Sequence, residues 1–249
     1  MLFRADTDEF KRGYELLSQR IGANFIEERD FRGDLMGLVN PPPSQAVDPL
    51  TCFAVDDMIF KKRAWLRNAH SALHNPNVLC FSFRLSPKIN YCYSLDINNP
   101  PPMFDNQLFS KDKWVLTWDW QKCDGDWGYP FSTDCHVYRT PQLVAAMLRH
   151  DWNSPNTMEA ALARDPWWKQ WSKMACCTDH KVMNVPANIV QNDFKNRCIG
   201  THSPEGLNSM YLNGMVIAWE RLAGAETNSC HVAAPYEFRL FGSQPILPK

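Results

Sequence analysis

The first half of the chain alternates helical patterns with short apolar runs, and this alternation restricts the possible folds more than any other feature. Apolar side chains recur every three or four positions in three segments, which predicts helices over residues 6–22, 31–39 and 61–73. Asp6 is the predicted N-cap of the first helix. Continuous apolar runs predict strands at residues 24–26, 52–55 and 78–83. Strands that alternate with helices are typical of an α/β fold with a mostly parallel sheet, which is the predicted fold class.

In the second half, helix starts are marked by a hydroxyl side chain that precedes a proline. The hydroxyl caps the helix and the proline suits its first turn. The last start opens an apolar face that continues to Leu222, which predicts one long final helix. The tail after Gly224 has no periodicity and is predicted to be an extended arm or a frayed end. The three starts are Thr140-Pro141, Ser154-Pro155 and Ser203-Pro204.

Charge and composition exclude several classes of protein. The 249 residues include 26 Lys and Arg against 27 Asp and Glu, so the net charge of −1 argues against binding nucleic acid by neutralising its phosphates. The N-terminus lacks the pattern of a signal peptide, and no apolar run approaches the ~18 residues of a membrane span. The nine scattered cysteines favour a reducing compartment over disulfide pairing. We therefore expect a cytoplasmic protein with no membrane span.

Two adjacent carboxylates, Asp56 and Asp57, directly follow the predicted strand at 52–55. Ligands of open α/β sheets bind at the carboxyl ends of strands, and paired carboxylates suit a hard divalent cation that also contacts a diphosphate. The alternative is that both aspartates cap the turn after the strand. A basic run at residues 61–63 follows, and its cations could meet a phosphate or form an exposed helix face.

Residues 126–134 combine aromatic and acidic side chains in a stretch that is neither a regular helix nor a regular strand. Aromatic rings stack on the apolar faces of sugars, and carboxylates accept hydrogen bonds from sugar hydroxyls, so this stretch suits a carbohydrate. Tryptophan and tyrosine residues concentrate between Trp114 and Tyr138, where a sugar platform is predicted. The alternative is a rigid aromatic loop of the core.

Two further patterns contain candidate catalytic or metal-binding residues. Glu159 falls in the first two turns of the helix that Ser154 is predicted to begin, where a carboxylate can act as a general base or simply stabilise the helix dipole. Cys176, Cys177 and His180 have a spacing that zinc ligands use, but no second pair nearby completes four ligands. His180 is instead a candidate partner in an oxygen-rich metal site.

In their order along the chain, several of these segments resemble a family of GT-A-type glycosyltransferases of bacteria and large DNA viruses of algae. The resemblance spans about residues 3–221 and implies a Rossmann-like domain that binds a nucleotide-diphosphate sugar donor, Mn²⁺ or Mg²⁺, and a glycan or glycoprotein acceptor. It divides the chain into a donor and metal half at 1–85, an acceptor half at 86–222 and a C-terminal extension at 223–249. The matching segments are Phe3-Arg4-Ala5, residues 25–31, Val55-Asp56-Asp57, residues 80–85, Asp126-Trp127-Gly128-Tyr129-Pro130, Asn156-Thr157-Met158-Glu159, residues 184–191 and the final helix.

The same resemblance implies a role for individual residues. Glu159 or Asp134 would be the catalytic carboxylate. The metal ligands would be Asp56 and Asp57, joined by His180 as the oxygen-site partner considered above. The donor contacts would be Arg4, Asp6, Asp56 and Arg84, and the other substrate contacts would be Asp126, Trp127, Gly128, Tyr129 and Asn156.

The chain departs from the family pattern in two places. Met58 occupies the third position of the acidic motif, so Asp57 is expected to be the main metal ligand, with Asp56 binding weakly or contacting the ribose. The chain also begins at what would be the second strand. We therefore expect that the nucleotide base is held differently, that a partner chain supplies the missing unit, or that the domain is reduced and its activity impaired. Two alternative functions remain: a non-catalytic carbohydrate-binding protein on a truncated transferase fold, and a metal-dependent nucleotide hydrolase.

Overall fold

The computed structural model describes residues 1–41, 49–105, 115–186, 197 and 202–243. Trp114 and residues 187–191, which carry part of the sequence interpretation, lie outside these ranges. The helices are α1 (Asp8–Ile21), α2 (Phe31–Val39), α3 (Leu66–Leu73), α4 (Thr140–Met147), α5 (Pro155–Ala163), α6 (Pro204–Leu212) and α7 (Trp219–Gly224). The strands are β1 (Leu2–Phe3), β2 (Ile26–Glu27), β3 (Leu50–Cys52), β4 (Met58–Phe60), β5 (Val78–Ser82), β6 (Tyr91–Cys92), β7 (Ile97–Asn98), β8 (Val115–Asp119), β9 (His136–Arg139), β10 (Lys173–Cys177), β11 (Val182–Asn184), β12 (Met215–Ile217) and β13 (Phe238–Leu240).

A five-stranded mixed sheet lies at the centre of the fold, in the order β3-β9-β5-β10-β8. Strands β5 and β10 are parallel, whereas β9 is antiparallel to both β3 and β5, and β8 is antiparallel to β10. The predicted α/β class is confirmed, but the prediction of a mostly parallel sheet is wrong. Strand β9 comes from the second half of the chain and enters between two strands of the first half, so the local alternation could not reveal its direction.

Helix α2 forms over the residues that the sequence predicts, because Asp30 caps it by accepting a hydrogen bond from Gly33 N at 2.8 Å. The N-cap predicted for α1 is wrong by one position. Thr7, not Asp6, accepts the hydrogen bond from Phe10 N. Asp6 instead accepts a hydrogen bond from Arg4 Nε at 2.9 Å on an exposed surface. Asp6 therefore lies at the surface, paired with Arg4, and does not cap the helix.

The continuous buried strand predicted at 52–55 is not present. Strand β3 ends at Cys52, and both Cys52 and Ala54 are exposed because β3 is an edge strand of the sheet. Residues 58–60 form β4, which pairs with β11, so the following helix begins only at Leu66 rather than at residue 61. Asp56 and Asp57 consequently lie in the turn between β3 and β4 instead of at the end of a central strand.

The prediction of one long final helix is also wrong. Helix α6 ends at Leu212, and Gly214, with φ 83°, turns the chain into β12 before the short helix α7 begins. The tail then returns as β13, which pairs antiparallel with β12. Ser154 and Ser203 cap their helices as predicted, whereas Thr140 is the first residue of α4 and Arg139 precedes it as the N-cap.

The aromatic residues predicted to form a sugar platform mostly fill the core. Trp118 and Trp127 are almost fully buried, meet edge to face with ring centroids 5.1 Å apart, and are joined by a hydrogen bond from Trp118 Nε1 to Trp127 O. Phe131, Tyr138 and Trp168 stack in the same core. The rings are buried because they pack against one another and against apolar side chains of the central sheet. In the described part of the chain, no helix has both the length and the apolarity required to cross a membrane.

Replacing Trp118 with Ala should destabilise the protein by about 3–5 kcal/mol, because the variant loses a buried indole and leaves a cavity. Urea unfolding followed by circular dichroism measures this change. Trp65→Ala, at an indole that is 43% exposed, is the matched control and should change the unfolding free energy far less. Equal effects of the two substitutions would contradict the assignment of Trp118 to the core.

Candidate functional site

One large cavity, of about 1680 Å³, collects most of the residues that the sequence analysis singles out. Its walls come from the N-terminal segment and α1, the turn after β3, the loop before β9, α5, the end of β11 and the C-terminal tail. Two predicted residues are not part of its lining: Trp127 lies in the core and His180 lies elsewhere. The predicted residues that do line it are Arg4, Asp6, Asp56, Asp57, Arg84, Asp126, Gly128, Tyr129, Asp134, Asn156 and Glu159.

Arg84 organises the inner wall of this cavity. Its guanidinium donates from Nη2 to Asp126 Oδ1 at 2.8 Å and from Nη1 to Asp134 Oδ2 at 2.9 Å, and the three side chains are at most 10% exposed. Burial alone would lower the pKa of Arg84, but the neighbouring Cys230, Asp126 and Asp134 raise the pKa above its usual value. Arg84 is therefore a permanent cation that holds two carboxylates together.

Local backbone geometry places both carboxylates beside Arg84. Asp126 lies in a short 3-10 helix, Gly125–Gly128, where Asn99 Oδ1 accepts from Asp126 N at 3.0 Å. Asp134 lies immediately before Cys135, whose φ of 54° is in the left-handed region and turns the chain into β9. Because a left-handed residue that is not glycine is uncommon, this turn is a specific feature that places Asp134.

Asn184, the last residue of β11, joins a third carboxylate to this group. Its Nδ2 donates to Asp57 Oδ1 at 2.9 Å and to Asp134 Oδ1 at 3.1 Å. The backbone supports this contact, since Val185 N donates to Asp57 O at 2.9 Å. Burial and the nearby Asp134 raise the pKa of Asp57 to about 6, although the hydrogen bond from Asn184 acts in the opposite direction. Asp56, the neighbour of Asp57, is exposed at the cavity wall.

His231 is a cavity residue that the sequence analysis missed. Its Nε2 lies 3.5 Å from Asp134 Oδ2, and two backbone hydrogen bonds, Asn184 N to Cys230 O and Val232 N to Asn184 O, hold the tail beside β11. Burial would raise the pKa of Asp134, but His231 and Arg84 outweigh burial and hold the pKa below its usual value. The sequence of the tail has no periodicity that marks His231. Only the tertiary contact with Asp134 identifies it as a site residue.

Glu159 faces the same cavity from α5 and has a different environment. Ser154 and Thr157 form a capping box at the start of α5, which fixes the position of the second turn where Glu159 lies. Thr133 Oγ1 donates to Glu159 Oε2 at 2.6 Å. Burial and the charge of Asp134 raise the pKa of Glu159, and burial together with Glu159 raises the pKa of Tyr129. Glu159 is thus a half-buried carboxyl group with increased affinity for a proton, whereas Asp134 is firmly ionised.

The predicted three-residue metal site is not assembled. Within residues 1–41, 49–105, 115–186, 197 and 202–243, no three His, Cys, Asp or Glu side chains are grouped so as to hold a metal ion. His180 is buried, with Nδ1 3.0 Å from Ser86 Oγ and Nε2 2.9 Å from Thr227 Oγ1, so it ties the tail to the sheet. Asp56 and Asp57 are two carboxylates at the cavity wall, and a cation held there would need its other ligands from substrate phosphates and water, as Mg²⁺ usually takes them.

Comparison with known proteins identifies no relative. No family model, no curated protein and no solved structure matches the chain.

Replacing Arg84 with Met should destabilise the protein by about 3–5 kcal/mol, because Asp126 and Asp134 would remain buried without their cation. Arg84→Lys keeps the charge but loses the fork that engages two carboxylates, so an intermediate loss is expected. Chemical unfolding at neutral pH measures both changes. Arg4→Met, which breaks an exposed ion pair, is the control and should have little effect. An Arg84→Met protein as stable as the control would contradict the central role of Arg84.

His180 should make the protein less stable in mild acid. Burial and the nearby Lys61 lower the pKa of His180 to about 4 in the folded chain, whereas an unfolded histidine takes up its proton near pH ~6.5. The stability due to neutral His180 is therefore complete above pH ~6.5 and is lost as the pH falls towards about 4.

The unfolding free energy of the wild type, compared with that of His180→Gln, should therefore fall by up to ~1.4 kcal/mol per pH unit across this window. Urea unfolding at a series of pH values measures the difference. His74→Gln, at an exposed histidine, is the control. A constant difference between wild type and His180→Gln from neutral to acid pH would show that His180 is not held neutral.

Proposed function

We propose that this chain is a metal-dependent glycosyltransferase that moves a sugar from a nucleotide-diphosphate sugar to a glycan or glycoprotein acceptor. The observation that carries the proposal is the convergence of Asp57, Asp134 and Glu159 in one cavity from three distant parts of the chain. Small-molecule pockets are commonly about 300–1,000 Å³. A cavity of about 1680 Å³ therefore has room for a donor and an acceptor together. A GT-A-like arrangement of the fold and a cytoplasmic location of the protein are also parts of this proposal.

The cavity is lined by both positively and negatively charged side chains, and this combination suits a diphosphate donor with its metal ion. Arg4, Arg164 and Arg197 contribute cations to its lining. Arg197 is held in place because Nη1 donates to Tyr93 O at 2.8 Å and to Tyr91 Oη at 3.1 Å. Asp56 and Asp57 provide hard oxygen ligands for Mn²⁺ or Mg²⁺. When bound, the cation would stabilise the negative charge that develops on the departing diphosphate.

The different environments of the two candidate catalytic carboxylates favour different roles for them in this proposal. Asp134 accepts hydrogen bonds from Arg84 and Asn184 and lies near His231, so its oxygens are already engaged and it is a positioning residue. Glu159 lines the cavity, and its pKa is raised above the usual value. It therefore suits the role of a general base that removes a proton from an acceptor hydroxyl. This role applies to an inverting transfer, since a retaining transfer does not require such a base.

The sugar itself would be bound by the polar groups around Tyr129 rather than by Trp127. Asp126, Gly128, Tyr129 and Asn156 line the cavity, whereas Trp127 is buried behind them. The indole Nε1 of Trp127 donates to Asn99 O at 3.2 Å, and this contact holds the loop that carries Asp126 and Gly128. Trp127 therefore supports the sugar-binding loop from inside the core.

The proposal is tested by adding nucleotide sugars with and without Mn²⁺ while thermal unfolding is followed. A donor at ~100 times its Kd should stabilise the folded chain by about 2.7 kcal/mol. Asp57→Asn should abolish the Mn²⁺-dependent part of this stabilisation, and Glu159→Gln should keep it but lose sugar transfer. Asp151→Asn, at a fully exposed carboxylate, is the matched control and should behave as the wild type.

The outcomes separate the proposal from its two alternatives. Release of nucleoside diphosphate that requires an acceptor supports a transferase. Nucleotide turnover without an acceptor indicates a hydrolase, and glycan binding without metal or turnover indicates a binding protein. Absence of Mn²⁺-dependent stabilisation with any donor, or an unchanged response of Asp57→Asn, would overturn the proposal.

A further inference from the structure

Cys52 differs from the other described cysteines in both its exposure and its affinity for a proton. It is exposed because β3 is an edge strand, whereas the other cysteines in the described part of the chain are half-buried or buried. The neighbouring Cys135 thiol lowers the pKa of Cys52, although desolvation of the sulfur opposes this shift. Burial raises the pKa of six other described cysteines. Because the thiolate is the reactive form, Cys52 is the described cysteine best suited to react with a molecule in solution.

The fold places Cys135 beside Cys52, although the two residues are far apart in the sequence. Strands β3 and β9 pair antiparallel, with Cys52 opposite Val137. A single carbonyl oxygen, Phe53 O, accepts from Cys135 N at 2.9 Å and from Cys52 Sγ at 3.6 Å. The two side chains also interact directly, since each thiol changes the pKa of the other. The chain therefore brings an exposed thiol and a second thiol together at the edge of the sheet.

Cys135 has the features of a residue that reacts second. It is only 2% exposed, so a molecule in solution meets Cys52 first. The hydrogen bond with Cys52 raises the pKa of Cys135, and burial and the charge of Cys52 act in the same direction. Once Cys52 has reacted and is neutral, its charge no longer opposes ionisation of Cys135. Reaction at Cys52 therefore makes the Cys135 thiol a better nucleophile.

We propose that Cys52 is a site of reversible oxidation by a peroxide, and that Cys135 resolves the oxidised Cys52 by forming a disulfide with it. Cysteines that sense oxidants are accessible thiolates next to a resolving cysteine, which is the arrangement of this pair. A metal site would need further ligands, and no group of three His, Cys, Asp or Glu side chains that could hold a metal occurs among the described residues. This inference does not depend on the transferase activity proposed above.

The oxidation balances with peroxide as the only co-reactant. The Cys52 thiolate attacks one oxygen of hydrogen peroxide, the O–O bond breaks, and the departing hydroxide takes up the proton that Cys52 had lost. The sulfur of Cys135 then attacks the sulfur of the Cys52 sulfenic acid. The S–O bond breaks, and hydroxide leaves with the Cys135 proton as water. Two thiols are thereby oxidised to one disulfide, one peroxide is reduced to two waters, and a dithiol reductant reverses the reaction.

The disulfide would join the two segments that carry the charged network. Cys135 directly follows Asp134, and its left-handed φ of 54° forms the turn that places Asp134. Cys52 is the last residue of β3, and the turn after β3 carries Asp57. Neither cysteine lines the cavity. Oxidation would therefore link the supports of Asp57 and Asp134 without occupying the site between them.

Peptide mapping by mass spectrometry tests this inference on the whole chain. The reduced protein is treated with hydrogen peroxide, and the remaining thiols are alkylated before digestion. We expect a pair of peptides joined through Cys52 and Cys135, which separates when dithiothreitol is added. Cys52→Ser should abolish the joined pair. Cys123→Ser, at a half-buried cysteine outside the pair, is the matched control and should form it as the wild type does.

A second variant tests the order of the two steps. In Cys135→Ser the oxidised Cys52 has no resolving thiol, so its sulfenic acid should accumulate and be labelled by dimedone. The wild type should show far less of this label at the same peroxide concentration. Absence of the disulfide from the oxidised wild type, a disulfide that joins Cys52 to another cysteine, or faster oxidation of Cys123 than of Cys52 would overturn the inference.

Discussion

The buried guanidinium of Arg84 is the interaction on which the rest of the site depends. It joins Asp126 and Asp134, which belong to a single loop, and through Asn184 it reaches Asp57 in the turn after β3. Several carboxylates within one cavity would repel each other without this cation. Because only Phe83 separates Arg84 from β5, whose residues are all buried in the centre of the sheet, the sheet fixes the position of the charged network.

The network gives similar side chains different chemical properties. Asp134 is engaged by Arg84, Asn184 and His231 and stays ionised. Glu159 and Asp57 are half-buried with fewer compensating partners and hold protons more tightly. Pairs of titratable groups whose environments separate their pKa values are typical of sites that use both an acid and a base. This separation supports Glu159, rather than Asp134, as the residue that exchanges a proton with a substrate.

Local patterns in the sequence predict helices better than they predict the sheet. Helix α2 was predictable to the residue because Asp30 caps it locally, and β5 because all its residues are apolar or small and buried. The direction of β9 and the edge position of β3 depend on pairing between distant parts of the chain, which no local pattern records. Eleven of the residues that the sequence analysis named line the cavity, but His231 and the bridging role of Asn184 arise only from tertiary contacts.

Crystals of the protein grown with Mn²⁺ and a series of nucleotide sugars test the central claim most directly, because anomalous scattering locates the metal. We expect Mn²⁺ about 2.0–2.2 Å from an Asp57 carboxylate oxygen, with the diphosphate as a further ligand. The sugar should lie in the cavity beside Glu159. A donor that binds outside this cavity, or Mn²⁺ that binds with the donor away from Asp57, would contradict the proposed role of this site.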